Sequence, residues 1–123
     1  SGVFNAVQYA GITALDECDA IIDKMLAVYA RRREKVIRTL RELGWTYEPP
    51  KGTFYLWVPV PNGFTSPGFC EYLFEKCAVV IAPGSAYGQH GEGFVRFSLT
   101  VEEKRLDEAL ARMRGLPRLA FSG

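Results

Sequence analysis

Arg96 lies in the stretch GEGFVRFSL, residues 91–99, between Val95 and Phe97. The stretch reads as a strand, and a strand alternates its side chains. Phe94, Arg96 and Ser98 therefore share one face, and Val95, Phe97 and Leu99 the other, which is core. A strand arginine is ordinarily a solvated residue. Here its neighbours on the face are an aromatic and a hydroxyl rather than other charges. The glycine-rich PGSAYGQHGEG of residues 83–93 opens the strand and leaves room for a ligand close to the backbone. A guanidinium so placed suits a carboxylate or a phosphate, held by two parallel charge-assisted hydrogen bonds.

Other chemistries fit less well. The glycine loop carries no Gly-Lys-Ser/Thr and runs into a strand rather than a helix, so it lacks the parts that cradle a nucleotide phosphate. His90-Gly-Glu-Gly-Phe-Val-Arg-Phe97 matches most of the RNA-recognition strand pattern, but Glu92 stands where an aromatic would stack on a base. The formal net charge of +1 gives no electrostatic footprint for nucleic acid or an anionic membrane. A stand-alone module binding an anion or RNA is the alternative to an enzyme. Three cysteines and a single histidine, His90, do not make a metal site. Cys70 and Cys77 fall on one expected helix about 10 Å apart, too far for a bridge, so the thiols read as buried and reduced. No apolar run reaches the ~20 residues of a membrane helix.

The elements that must position Arg96 follow from periodicity and punctuation. Val3, Ala6, Val7, Ala10 and Ala14 form one stripe of an opening helix, and Asp16 to Asp19 a polar break. Ile22, Met25, Tyr29, Val36, Leu40 and Leu43 step along a long helix from about Ala20 to Leu43, with Gly44 as its stop. At ~1.5 Å per residue such a rod reaches beyond a domain of this size. Trp45–Tyr47 suggests an edge strand and Thr53–Val58 a strand after the Pro49-Pro50-Lys51-Gly52 turn, with Lys51 solvated. Ser66-Pro67 suggests a capped helix start running to about Lys76. Ala78–Ala82 suggests a second buried strand and Phe94–Leu99 a third. Thr100 to Glu103 reads as a capping box opening a last helix, with Leu106, Leu110 and Met113 inward and Gly115 as its stop. The expected class is α+β: a small open sheet of about three to four strands covered by helices, preceded by a long bridging helix. Tyr55 and Trp57 read as core or interface aromatics, and His90 as an exposed loop residue.

Taken in order, KGTFYLWVPVP, VVIAPGSAYGQHGEGFVRFSLT and the helix after it resemble the C-terminal small domain of class I/II aminotransferases of fold type I. SGVFNAVQYAGI and GEGFVRFSLT are most similar to the LL-diaminopimelate and aspartate aminotransferases. The resemblance spans essentially the whole chain. It implies three parts: residues 1–19 as a remnant of a large-domain helix, 20–44 as the interdomain helix and 45–123 as the small α+β domain. It implies a pyridoxal 5'-phosphate enzyme moving an amino group between an amino acid and a 2-oxo acid, homodimeric and cytoplasmic. Arg96 corresponds to the family's arginine for the substrate α-carboxylate. Transfer requires the substrate's Cα–H bond to stand across the cofactor ring, so such a clamp acts by orientation. Asn5 corresponds to a polar residue that reaches a site across the dimer interface.

The family's Schiff-base lysine motif matches none of Lys24, Lys35, Lys51, Lys76 and Lys104. The expectation is therefore a fragment without catalytic residues of its own. It would not bind the cofactor and would work with the large domain of the parent chain and with amino-acid and 2-oxo-acid substrates, without nucleic acid, metal or membrane.

Overall fold

The computed structural model describes residues 2–121. Among them lie helices α1 (Asn5–Glu17), α2 (Asp19–Glu42), α3 (Ser66–Cys77) and α4 (Glu103–Arg114). The strands are β1 (Tyr55–Pro59), β2 (Ala82–Pro83) and β3 (Phe94–Ser98). The chain divides into two compact units between Arg31 and Arg32, inside α2.

In the first unit α1 has no buried residue, and Val7, Ile12 and Leu15 stand exposed. The break before α2 is Cys18 alone, narrower than the Asp16–Asp19 expected. Ile22 and Met25, on the apolar stripe of α2, are also exposed. Their periodicity marks an apolar stripe, and periodicity says nothing about what covers it.

The second unit is built on an antiparallel sheet in the order β1-β3-β2. Register pairs Leu56 with Phe97 and Val58 with Val95 on one face, and Trp57 with Arg96 on the other. The apolar face meets Val36, Ile37 and Leu40 of α2, Phe69 and Leu73 of α3, and Leu106, Leu110 and Met113 of α4, all buried. At about 25 cal/mol per Å² of apolar surface removed from water, this packing is the main favourable term of the fold. Polar contacts then set the helix positions. Lys35 Nζ donates to Glu103 and Asp107 at 2.8 Å each, and those hydrogen bonds hold its pKa above the ordinary lysine value. Arg114 reaches Glu42 at 2.9 Å and the buried Thr39 hydroxyl at 2.9 Å.

Four local expectations are corrected. Trp45–Tyr47 is not a strand: the Trp45 amide donates to Leu40 O at 2.9 Å, and its indole to Pro59 O at 2.8 Å, so the residue plugs the core beside the helix end. Gly44, at φ +112°, makes the turn that allows this. The strand expected at Ala78–Ala82 shrinks to Ala82–Pro83. Ala78 adopts φ +52° as the cap of α3, and its amide and that of Val79 bond back to Phe74 and Leu73. The α3 cap is Thr65, which accepts from the Gly68 amide at 3.2 Å, and Ser66 is the first helical residue. The box at Thr100–Glu103 does not form, because Thr100 pairs with Ser98 Oγ and Glu103 is drawn to Lys35. Of the three thiols only Cys77 is buried, Cys18 and Cys70 being half-buried; all three are free, and burial raises the Cys70 and Cys77 pKa values.

Candidate functional site

The central strand carries the site. Arg96 stands on β3 with Trp57 of β1 and Ala82 of β2 as its cross-strand neighbours. The alternation expected from the sequence holds: Val95 and Phe97 are buried, while Phe94 and Ser98 are exposed and Arg96 is half-buried. The guanidinium does not splay into bulk water. Its Cζ lies 4.6 Å from the centroid of the Tyr87 ring and 5.5 Å from that of Tyr55. Trp57 closes the third side, stacked on Phe94 at 5.8 Å and edge-on to Tyr87 at 5.8 Å. Cation–π contacts of this kind contribute about 0.5–2 kcal/mol each and fix the plane of the fork.

Tyr55, Trp57, Tyr87 and Arg96 line an open cleft. Arg96 Nε is buried and has no hydrogen-bond partner among the described residues. A buried donor left unpaired costs about 1–3 kcal/mol, so the arrangement favours an acceptor that enters the cleft. Carboxylate and phosphate oxygens meet that need. Tyr55 and Trp57 are thus walls of the cleft rather than core. They alternate with the buried Leu56 and Val58, and only the pairing register shows that their side lies beside Arg96. Tyr87 was not singled out in the sequence. It sits in a glycine-rich loop, and no periodicity points to it.

That loop is two short 3-10 turns, Gly84–Tyr87 and Gln89–Gly91. Gly84 and Gly91 touch so closely that a Cβ on Gly84 would overlap Gly91 O and lie 2.6 Å from Phe94 O. Glycine is required at this crossing for close approach of backbones. The loop's end is held by Glu92. Its Oε1 accepts from the amides of Ser66 at 2.7 Å and Gly93 at 3.0 Å, and its Oε2 from the Ser66 hydroxyl at 2.8 Å. The Ser66 amide bond, the largest cause, followed by the Ser66 hydroxyl, holds the Glu92 carboxyl below the usual carboxylate range. A depressed pKa stabilises the folded state above the unfolded value, and that contribution is lost as pH falls through the folded value. Thermal melts from pH 6 downward should therefore show a shallower acid decline for Glu92→Gln than for the wild type. Parallel declines would remove this contribution.

Asn5 is the first residue of α1, is exposed, and belongs to the first unit, while Arg96 belongs to the second. His90 is exposed, as expected, and Lys51 lies exposed in its turn. Among the described residues no group of side chains could hold a metal ion, and no helix is long and apolar enough to cross a membrane.

The family described as aminotransferase class I and II matches residues 2–113. LL-diaminopimelate aminotransferase of Halothermothrix orenii is 47% identical over 114 residues, covering 93% of this chain and 29% of that protein. Among solved structures, L,L-diaminopimelate aminotransferase from Chlamydomonas reinhardtii superposes with a TM-score of 0.78 at 30% identity, over 93% of this chain and 28% of the other. Aspartate aminotransferase from Thermotoga maritima gives a TM-score of 0.70 at 34% identity, over 87% and 27%. The chain thus spans about three-tenths of the length of the relatives it matches.

Proposed function

Since the chain belongs to the aminotransferase class I and II family, we propose that it serves an enzyme moving an amino group between an amino acid and a 2-oxo acid. Arg96 would bind the α-carboxylate of both substrates. The observation that carries the reading is the aromatic-walled cleft lined by Arg96, whose buried Nε has no hydrogen-bond partner among the described residues. A carboxylate entering there accepts from the fork through both oxygens, which fixes its plane and, through it, the rotation about the bond to Cα. The three aromatic side chains that line the cleft with the guanidinium lower the local dielectric and strengthen the contact. LL-Diaminopimelate is the foremost amino donor, from the names of the relatives, with aspartate as the next. Asn5 is a second substrate contact, across a homodimer interface, and the whole protein works in the cytoplasm.

Pyridoxal phosphate would supply the electron sink of this reaction. The residues present here do not fit as its holder. The cleft offers one guanidinium, two phenols, an indole and no amine. Lys35 is engaged by Glu103 and Asp107, and Lys24, Lys51, Lys76 and Lys104 are exposed. The 123-residue chain, mixed with pyridoxal phosphate and desalted, should retain no stoichiometric visible absorbance. A yellow chain at one cofactor per molecule would contradict this. The reading as a whole is tested by assaying the full-length protein with LL-diaminopimelate, aspartate and alanine against 2-oxoglutarate. Turnover of none of them would overturn it.

A further inference from the structure

We propose that Glu92 is a positioning residue for carboxylate binding: through Ser66 and Ser85 it holds the loop that keeps Tyr87 over Arg96. The inference rests on the reading of Arg96 given above and extends it to residues that do not touch the cleft. Ser66 is completely buried, and its hydroxyl is the centre of the arrangement. It donates to Glu92 Oε2 at 2.8 Å and receives the Ser85 amide at 3.3 Å, with the Ser85 hydroxyl 3.1 Å away. The Ser66 amide adds its own bond to Glu92 Oε1 at 2.7 Å. Ser85 and Glu92 bracket the loop, so α3 grips it at both ends. Tyr87 lies between these two grips, two residues after Ser85 in the same 3-10 turn.

The alternative anchors are few. The loop's side chains from Ser85 to His90 are exposed, and the Tyr87 ring meets Trp57 edge-on and the Arg96 guanidinium at the sheet surface rather than entering the core. The Gly84–Gly91 contact brings the two ends together but does not set the angle of the turn between them. A charged acceptor with three donors supplies that angle, since its bonds are short and directional. If the grip opens, the Tyr87 ring is free to leave one face of the guanidinium, and the fork loses the plane in which it meets a carboxylate. Affinity then falls by the fraction of time the loop spends in the held arrangement.

The test uses the full 123-residue chain, labelled with 15N, and acetate as the probe. In the free chain the Tyr87 ring should shift the Arg96 Nε–H resonance by its ring current, and Tyr87→Leu identifies the size of that shift. Glu92→Ala should lose most of it and weaken acetate binding about tenfold, as for a loop held one-tenth of the time. Glu92→Gln keeps an acceptor for the Ser66 amide and should retain most of the shift. Ser85→Ala removes the loop-side hydroxyl with little risk to folding and should give a partial loss. The amide spectrum of Val95 and Phe97 reports whether the sheet is intact. An unchanged Arg96 resonance and unchanged acetate affinity in Glu92→Ala, with the sheet intact, overturns the proposal. If Glu92→Ala abolishes the shift and no variant, wild type included, binds acetate, the positioning of Tyr87 stands and the carboxylate reading of Arg96 fails. If Arg96→Lys alone loses acetate while Glu92→Ala binds normally, Arg96 stands and the positioning role fails.

Discussion

Arg96→Lys, made in the full-length protein, is expected to raise KM for the amino donor and lower kcat together. A lysine keeps the charge but presents a single ammonium on a flexible stem, which cannot reproduce two parallel bonds in a plane. Hydrogen bonds to charged groups contribute about 1.5–3 kcal/mol, so kcat/KM should fall by roughly 10- to 150-fold. The split between the two constants carries the information. Loss of simple attraction would raise KM and leave kcat alone, whereas loss of orientation lowers kcat as well. The aromatic walls sharpen the expectation, because a lysine ammonium in their midst would keep cation–π contact with Tyr87 and Tyr55 and still bind some anion. Steady-state kinetics with one donor and one acceptor are sufficient, and unchanged constants would remove Arg96 from the site.

Phe69→Ala should have the largest effect on stability. Phe69 is completely buried on α3 and meets three rings: Trp45 at 5.6 Å, Phe64 at 5.4 Å and Tyr72 at 6.1 Å. Truncating a buried phenylalanine costs about 3–5 kcal/mol, because the cavity left behind collapses only partly. Total stabilities are about 5–15 kcal/mol, so the second unit should melt more than about 10 °C lower. The loss would be felt at β1, whose last residue takes the Trp45 indole bond. Phe74 on the same helix provides the comparison. It is 59% exposed, and Phe74→Ala should stay within about 0.5 kcal/mol of the wild type. Denaturant titrations followed by tryptophan fluorescence separate the two. Equal losses would mean that Phe69 is not the keystone of this packing.

Much of the second unit was legible because burial leaves a period behind. Leu106, Leu110 and Met113 recur at helical spacing and are all buried, and Gly115 ends their helix as expected. The face of Arg96 was legible for the same reason, since alternation over five residues admits one assignment. What could not be read depends on partners distant in sequence. Nothing local shows that Glu103 serves Lys35, 68 residues away, rather than capping its own helix. Ser66 likewise resembles a cap, yet its hydroxyl belongs to Glu92, 26 residues on. Apolar side chains also mislead at exposed places: Val80 suggested a buried strand and is 79% exposed, because the cap at Ala78 had already turned the chain. Tyr55 and Trp57 needed the register before their role as walls could be seen.

The alternation on β3 also limits how the gene can vary in length. Removing or adding one codon between Gly93 and Arg96 would turn the guanidinium into the hydrocarbon interior and push Val95 or Phe97 out to solvent. Insertions and deletions are excluded from the strand itself. They have room instead at Lys51 and Gly52, exposed and outside the paired strands, where a lengthened turn would leave the register untouched.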